Sequence, residues 1–157
     1  MRAAVLTVSD GVAAGTREDL SGDLLVDRLA GAGFELAERR TVPDDRDGIA
    51  EALRQLAERA DLVLTTGGTG FAPRDVTPEA TARVIDRATP GLDEHMRAVS
   101  IAASPHGMLS RGRSGIAGSA LIVNFPGSPR ACAELFDAVS PALDHGLRLL
   151  LDLPTAH

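Results

Sequence analysis

Residues Thr65 to Ala80 read TTGGTGFAPRDVTPEA. Three glycines, Gly67, Gly68 and Gly70, crowd a four-residue span directly after the apolar run Leu62-Val63-Leu64. Arg74 and Asp75 follow, and Thr77-Pro78-Glu79 is a helix start in which Thr77 is the expected cap and Pro78 opens the first turn. The order is strand, permissive loop, charged pair, helix N-terminus. Such an order suits a phosphate-bearing substrate, because glycines let several backbone N–H groups converge on an anion.

Outward from this stretch the pattern alternates. Ala3 to Val8 is a compact apolar strand, and Ser9 to Gly22 is a long loop in which Asp19 can cap the first helix. Asp23 to Ala32 has helical spacing, and Gly31 and Gly33 end it. Glu35 to Val42 alternates like a strand near a sheet edge, and Pro43-Asp44-Asp45 breaks it. Asp45 or Asp47 caps a helix whose Ile49, Leu53, Leu56 and Ala57 share one face, and Asp61 to Thr65 is the third strand. This is β-α-β-α-β, the signature of an α/β fold with a parallel sheet. Ligands of such sheets sit beyond the carboxyl ends of the strands. The loops Ser9-Asp10-Gly11, Pro43-Asp44-Asp45 and Thr66 to Asp75 therefore converge on one rim.

The second half is predicted as a helix from Thr77 to about Arg87, an interruption at Pro90-Gly91, and a helix carrying Leu92, Met96, Val99 and Ile101. A short strand at Gly107 to Ser110 follows, then two paired strands over Arg113–Gly118 and Ser119–Asn124. The turn Phe125 to Pro129 opens a last helix with Leu135, Val139, Leu143 and Leu147. The 157 residues read as one domain, 1–157, without repeats or linkers.

Composition narrows the function. The net charge is −6, there is no basic stripe, and the only aromatics are four Phe. Nucleic-acid partners are disfavoured on both counts, whereas a small anion in a local pocket is not. No stretch approaches the length of a membrane span. The apolar run at the N-terminus is too short for a signal peptide, and the single cysteine, Cys132, fits a reducing compartment, so the expected location is the cytoplasm. The four histidines show no metal-ligand spacing, and there is no Gly-x-Ser-x-Gly elbow.

The site candidates each carry two readings. Gly67-Gly68-Thr69-Gly70 is neither a Walker A nor a dinucleotide fingerprint; it is a tight turn or an anion nest, with Thr65, Thr66 and Thr69 adding hydroxyls. Asp75 beside that loop is explained by Mg²⁺ held between a carboxylate and substrate phosphates, or by an ion pair with Arg74 or a bond inside its loop. One of Asp44 and Asp45 caps a helix, and the other is free to share the metal. Asp10 is a turn former or a ligand. Arg111, after Ser110, is a bidentate phosphate ligand or a surface arginine. Asn124, ahead of Pro126-Gly127, makes an internal turn bond or reads a polar ring edge.

Taken together, Thr7-Val8-Ser9-Asp10, Asp19-x-Ser21-Gly22, Thr66 to Gly70 with Pro73 to Thr81, Pro90-Gly91, Met108 to Arg111, Gly115-Ile116-x-Gly118-Ser119 and Asn124-x-Pro126-Gly127 resemble a known family. It is the molybdenum-cofactor biosynthesis family of MogA-like molybdopterin adenylyltransferases, MoaB-like proteins and gephyrin G domains. The resemblance implies a three-layer α/β/α sandwich with a mainly parallel central sheet, usually a homotrimer. It implies transfer of AMP from MgATP to molybdopterin, with a molybdenum insertase acting later. It matches Asp44 and Asp75 to the two essential acids and Mg²⁺ ligands, and Ser110 and Asn124 to positions associated with the pterin. It matches the glycine loop to substrate phosphate or pterin; Ser9, Asp10, Arg74, Arg111, Pro126 and Gly127 complete the expected binding set. Phe71 to Asp75 is closer to the transferase pattern than to a pterin-binding protein without adenylylation. Leu20 and Asp23, flanking Ser21-Gly22, depart from the polar residue and proline expected there. A nucleotide-sugar or dinucleotide enzyme lacks its fingerprint after the first strand.

Overall fold

The computed structural model describes residues 1–155. Six strands form one sheet: β1 (Arg2–Val8), β2 (Glu35–Val42), β3 (Leu62–Thr66), β4 (Arg87–Ala88), β5 (Ser114–Ala117) and β6 (Ala120–Phe125), in the order β2-β1-β3-β6-β5-β4. The first four in that order are parallel, and β5 and β4 complete the sheet antiparallel. Around it lie α1 (Asp10–Ala13), α2 (Leu20–Gly31), α3 (Arg46–Ala57), α4 (Thr77–Ala82), α5 (Pro90–Ala103) and α6 (Pro129–Leu150), with a 3₁₀ turn at Pro105–Leu109.

Period-two alternation sorts the strand residues to two faces. Ala3, Val5, Leu62, Leu64, Val123 and Phe125 pack with Leu25 and Leu29 of α2 and with Leu135, Val139, Leu143 and Leu147 of α6. Ala4, Leu6, Val63 and Ile122 pack on the other face with Ile49, Leu53 and Leu56 of α3 and Ala80 of α4. Each fully buried leucine removes apolar surface worth about 2 kcal/mol from water. The expected three-layer sandwich is what forms. Among the described residues no helix is long and apolar enough to cross a membrane.

β2 is an edge strand, as its alternation implies, and it is guarded by charge. Glu38 receives Arg40 Nε at 2.9 Å and Arg59 Nη1 at 2.9 Å. Such pairs discourage addition of a further strand.

Five local expectations need correction. The Ser9–Gly22 loop contains the single turn α1, capped by Ser9, whose Oγ accepts Val12 N–H at 3.3 Å. In the same stretch α2 starts at Leu20 rather than Asp23, with Asp19 accepting Gly22 N–H at 3.0 Å. The helix from Thr77 stops at Ala82, because Arg87 and Ala88 are drawn into the sheet against Gly115 and Ile116. Pro90-Gly91 begins α5 instead of interrupting a helix. Gly107–Ser110 is no strand: Gly107 lies so close to α5 that a Cβ there would sit 2.4 Å from the Ser100 carbonyl carbon.

Cys132 occupies the first turn of α6, fully buried, with Sγ donating to Pro126 O at 2.9 Å. Burial pushes its thiol from 9.0 up to about 11. The unfolded thiol therefore ionises first. Stability from this group is intact below pH 9 and is lost as pH rises through 11. Urea unfolding between pH 8 and 11 should show that decline, and Cys132→Ala should remove it. A decline unchanged in Cys132→Ala would assign it to other groups.

Candidate functional site

The carboxyl ends of β1, β2 and β3 deliver the three loops to one rim, as parallel topology requires. Asp44 and Asp75 border the same cavity, of about 270 Å³, together with Ser9, Thr66, Gly67 and Gly68. A second cavity of about 430 Å³ is lined by Thr69, Gly70, Leu109, Ser110, Pro126, Ser128 and Ala131, among others. The glycine loop is the partition: Thr66 to Gly68 face one cavity, Thr69 and Gly70 the other. The turn after β6 is divided likewise, Gly127 and Pro129 on one side, Pro126 and Ser128 on the other.

Glycine is required in that partition by geometry. Gly67 has φ +98° and Gly68 φ +66°, and a Cβ on Gly67 would lie 2.3 Å from Val8 O. A Cβ on Gly68 would meet Thr77 Oγ1 at 2.4 Å and Asp44 Oδ1 at 3.3 Å, and one on Gly70 would meet Asp75 Oδ2 at 2.9 Å. Both carboxylates thus press against the loop. Gly67 N–H is taken by Phe125 O at 3.2 Å, but the N–H groups of Gly68, Thr69 and Gly70 have no partner among the described residues. Consecutive unpaired amides are donors of the kind that can receive an anion. The N-terminus of α6, 22 residues long and opening at Ser128, adds its positive end to both cavities.

The acids are held but not neutralised. Asp44 Oδ2 accepts Asp10 N–H at 2.8 Å, and Asp75 Oδ2 accepts Ala72 N–H at 2.9 Å. Neither carboxylate forms an ion pair, and Asp44 Oδ1 and Asp75 Oδ1 have no partner among the described residues. Asp45 is the helix cap, accepting Gly48 N–H at 2.7 Å, so the neighbouring acid, Asp44, is the one free to face the cavity. Among the described residues no three metal-ligating side chains cluster. Two carboxylates beside those unpaired amides nevertheless fit Mg²⁺, which commonly takes one or two carboxylates plus substrate phosphates and waters.

Other candidates take structural partners. Thr77 does not cap α4; Val76 stands there, and Thr77 Oγ1 donates to Gly67 O at 2.9 Å. Thr66 Oγ1 donates to Pro126 O at 2.7 Å, joining the two halves of the partition. Asp10 pairs with Arg74, which together with the Asp44 main chain holds its carboxyl below the usual range. Arg111 is committed to the scaffold: Nε reaches Gly70 O at 2.8 Å, Nη2 reaches Asp75 O at 2.6 Å, and Nη1 pairs with Glu79. Its arms grip both the glycine loop and the Asp75 segment. Asn124 is buried outside the two cavities. Its amide donates to Thr65 and Thr81 hydroxyls at 3.0 Å each, and its Oδ1 accepts Arg113 N–H at 3.2 Å. None of these bonds lies in the turn after β6, where a local turn bond was expected; they tie β6 to β3, to α4 and to the segment leading into β5. Ser110 keeps its hydroxyl at the larger cavity, where Oγ accepts Gly112 N–H at 3.4 Å.

Residues outside the expected set include Ser104, Ser128, Arg130 and Glu134 in the larger cavity and Arg17 and Ser21 in the smaller. Ser128-Pro129 was findable as a helix N-terminus following a strand. Ser104 was not, because the 3₁₀ turn that positions it has no periodic signature.

Residues 4–145 match the family described as "Probable molybdopterin binding domain". The molybdenum cofactor synthesis protein cinnamon of Drosophila melanogaster is 43% identical over 152 residues, covering 94% of this chain but only 25% of that longer protein. A molybdopterin adenylyltransferase of Helicobacter pylori is 40% identical over 151 residues, covering 94% of this chain and 86% of the relative. The crystal structure of the molybdopterin biosynthesis enzyme MoaB from Thermus thermophilus superposes with a TM-score of 0.91 at 46% identity, covering 98% of both chains. The rim of acids and glycines thus sits on a shared fold along nearly the whole length, and the chain belongs to the MogA- and MoaB-like family of molybdenum-cofactor biosynthesis.

Proposed function

We propose that the chain is a molybdopterin adenylyltransferase, moving AMP from MgATP to the terminal phosphate of molybdopterin with release of pyrophosphate. The observation that carries this reading is the meeting of two carboxylates at one cavity, each with an oxygen unpartnered among the described residues, with a loop shared by both cavities whose three amides are likewise unpaired. The polar cavity suits phosphates. The larger one, with Leu109, Pro126, Ala131 and Leu135 beside Ser104, Ser110 and Ser128, suits a flat ring system with polar edges.

A terminal phosphate oxygen of molybdopterin attacks the α-phosphorus of ATP. A new P–O bond forms there, and the bond from that phosphorus to the β-phosphate oxygen breaks, so pyrophosphate leaves. No protein nucleophile is needed. The chain's part is positioning: the amides of Gly68, Thr69 and Gly70 and the α6 N-terminus hold phosphate oxygens, so that the non-reacting ends of the two substrates lie on opposite sides of one loop and their phosphates meet at it. Asp44 and Asp75 would hold Mg²⁺, which when bound offsets the repulsion between two anionic reactants and the charge developing on pyrophosphate. On this reading the active form is a homotrimer, the reaction is cytoplasmic, and a molybdenum insertase consumes the product.

Incubation of the protein with molybdopterin and MgATP should give adenylylated molybdopterin and pyrophosphate in equal amounts. The 46% identity to a structure described as MoaB favours a second reading, pterin binding without adenylylation. That reading is the outcome if molybdopterin binds and no AMP is attached.

A further inference from the structure

Three loops bring the acids to the rim, and one side chain ties all three. Asp10, after β1, and Asp44, after β2, exchange bonds: Asp10 N–H donates to Asp44 Oδ2 at 2.8 Å, and Asp44 N–H donates to Asp10 Oδ1 at 3.0 Å. Arg74, after β3 and adjacent to Asp75, donates Nη2 to Asp10 Oδ1 at 2.9 Å and Nε to Asp10 Oδ2 at 2.5 Å. The chain of contacts runs Asp44–Asp10–Arg74–Asp75, the last link being the peptide bond.

The placement is poor for stability. The side chains of Arg74 and Asp10 are 65% and 45% exposed, and exposed ion pairs contribute little to folding. It is well suited to geometry. The guanidinium fork fixes orientation as well as distance, which a lysine does not. It also covers the Asp10 charge beside Asp44, so that Asp44 is the carboxylate left open to a cation.

We propose that Asp10 and Arg74 are positioning residues that set the spacing of Asp44 and Asp75 for a divalent cation carried by the nucleotide. The inference rests on the adenylyltransferase reading and deepens it. It assigns Arg74 and Asp10 no direct contact with substrate.

The test is calorimetric titration with Mn²⁺ and α,β-methylene-ATP, which cannot be turned over, alongside steady-state kinetics. In Arg74→Gln and in Asp10→Ala the Kd for the metal–nucleotide pair should rise about tenfold or more, the usual effect of removing a partner that orients a metal ligand. The rate constant kcat should fall while KM for molybdopterin and the thermal midpoint stay near those of the unaltered protein. Arg74→Lys should recover only part of the loss. The double variant should lose no more than the weaker-binding single variant, as two parts of one unit do. If Asp10→Ala does not fold, Arg74→Gln and Arg74→Lys decide alone. Wild-type affinity in Arg74→Gln, with affinity lost in Asp44→Asn, overturns the inference and leaves the adenylyltransferase reading intact. Additive losses in the double variant also overturn it. Failure of the unaltered protein to bind the pair at all removes both.

Discussion

Asp75→Asn is expected to cut AMP transfer by about a hundred- to a thousandfold, the scale seen when one group stabilising developing charge is removed. The substitution is nearly isosteric, and the Asn oxygen can still accept Ala72 N–H, the bond that shapes the loop at 2.9 Å. Arg111 grips the Asp75 backbone carbonyl rather than its side chain, so that clamp is untouched. The fold and molybdopterin binding should therefore persist, because the larger cavity does not include Asp75. What disappears is the negative charge on a group whose Oδ1 has no partner among the described residues. Product formation from molybdopterin and MgATP measures the effect, with circular dichroism as the check on folding. Undiminished turnover in a folded Asp75→Asn protein would remove Asp75 from the chemistry.

Gly67→Ala should be the most damaging substitution in the glycine loop. Its φ of +98° is strained for any L-residue, and the new Cβ would lie 2.3 Å from the backbone oxygen of Val8 in the interior strand β1. Strain at such a position costs about 1–3 kcal/mol, and the clash adds to it because backbone in a buried strand cannot move aside. Relief by shifting the loop would displace the Gly68 and Thr69 amides and break the Gly67 N–H bond to Phe125 O at 3.2 Å. Gly15→Ala is the matched control: φ is +72°, but nothing lies within 4 Å of the added carbon. It should lose only about 1–2 kcal/mol, the cost of the left-handed backbone alone. Urea unfolding of the two variants tests the difference. Equal losses would show that the contact with Val8 is readily relieved.

The first half of the fold was legible because its signals are local. Apolar runs mark β1 and β3, the Pro43-Asp44-Asp45 break ends β2, and Asp45 caps α3 through its own neighbour Gly48. The second half was less so. A two-residue strand such as β4 has no period to detect; it exists because Arg87 and Ala88 find Ile116 and Gly115, far along the chain. Thr77 shows the same competition at a single residue. By type it is the better cap, yet its hydroxyl is drawn to Gly67 O because β3 and α4 meet there.

The site divides in the same way. The glycines, Asp44 and Asp75 were visible as residue types after strands in a parallel sheet. The roles of Arg74 and Arg111 were not, because each depends on partners brought in by the fold. Asp10 lies 64 residues from Arg74, and Glu79 lies 32 from Arg111. Charge and spacing mark an arginine as able to bind an anion; only packing decides whether that anion belongs to the protein or to a ligand.

The partition of one loop between two cavities also bears on inhibition. On the adenylyltransferase reading, a single compound that joins a nucleoside-phosphate group to a planar heterocycle through a short tether should straddle the Gly68-Thr69 ridge. Once one end is seated, the other experiences an effective concentration in the millimolar range, as short flexible tethers give. Such a two-headed molecule should bind more tightly than either fragment by far more than their separate contacts suggest.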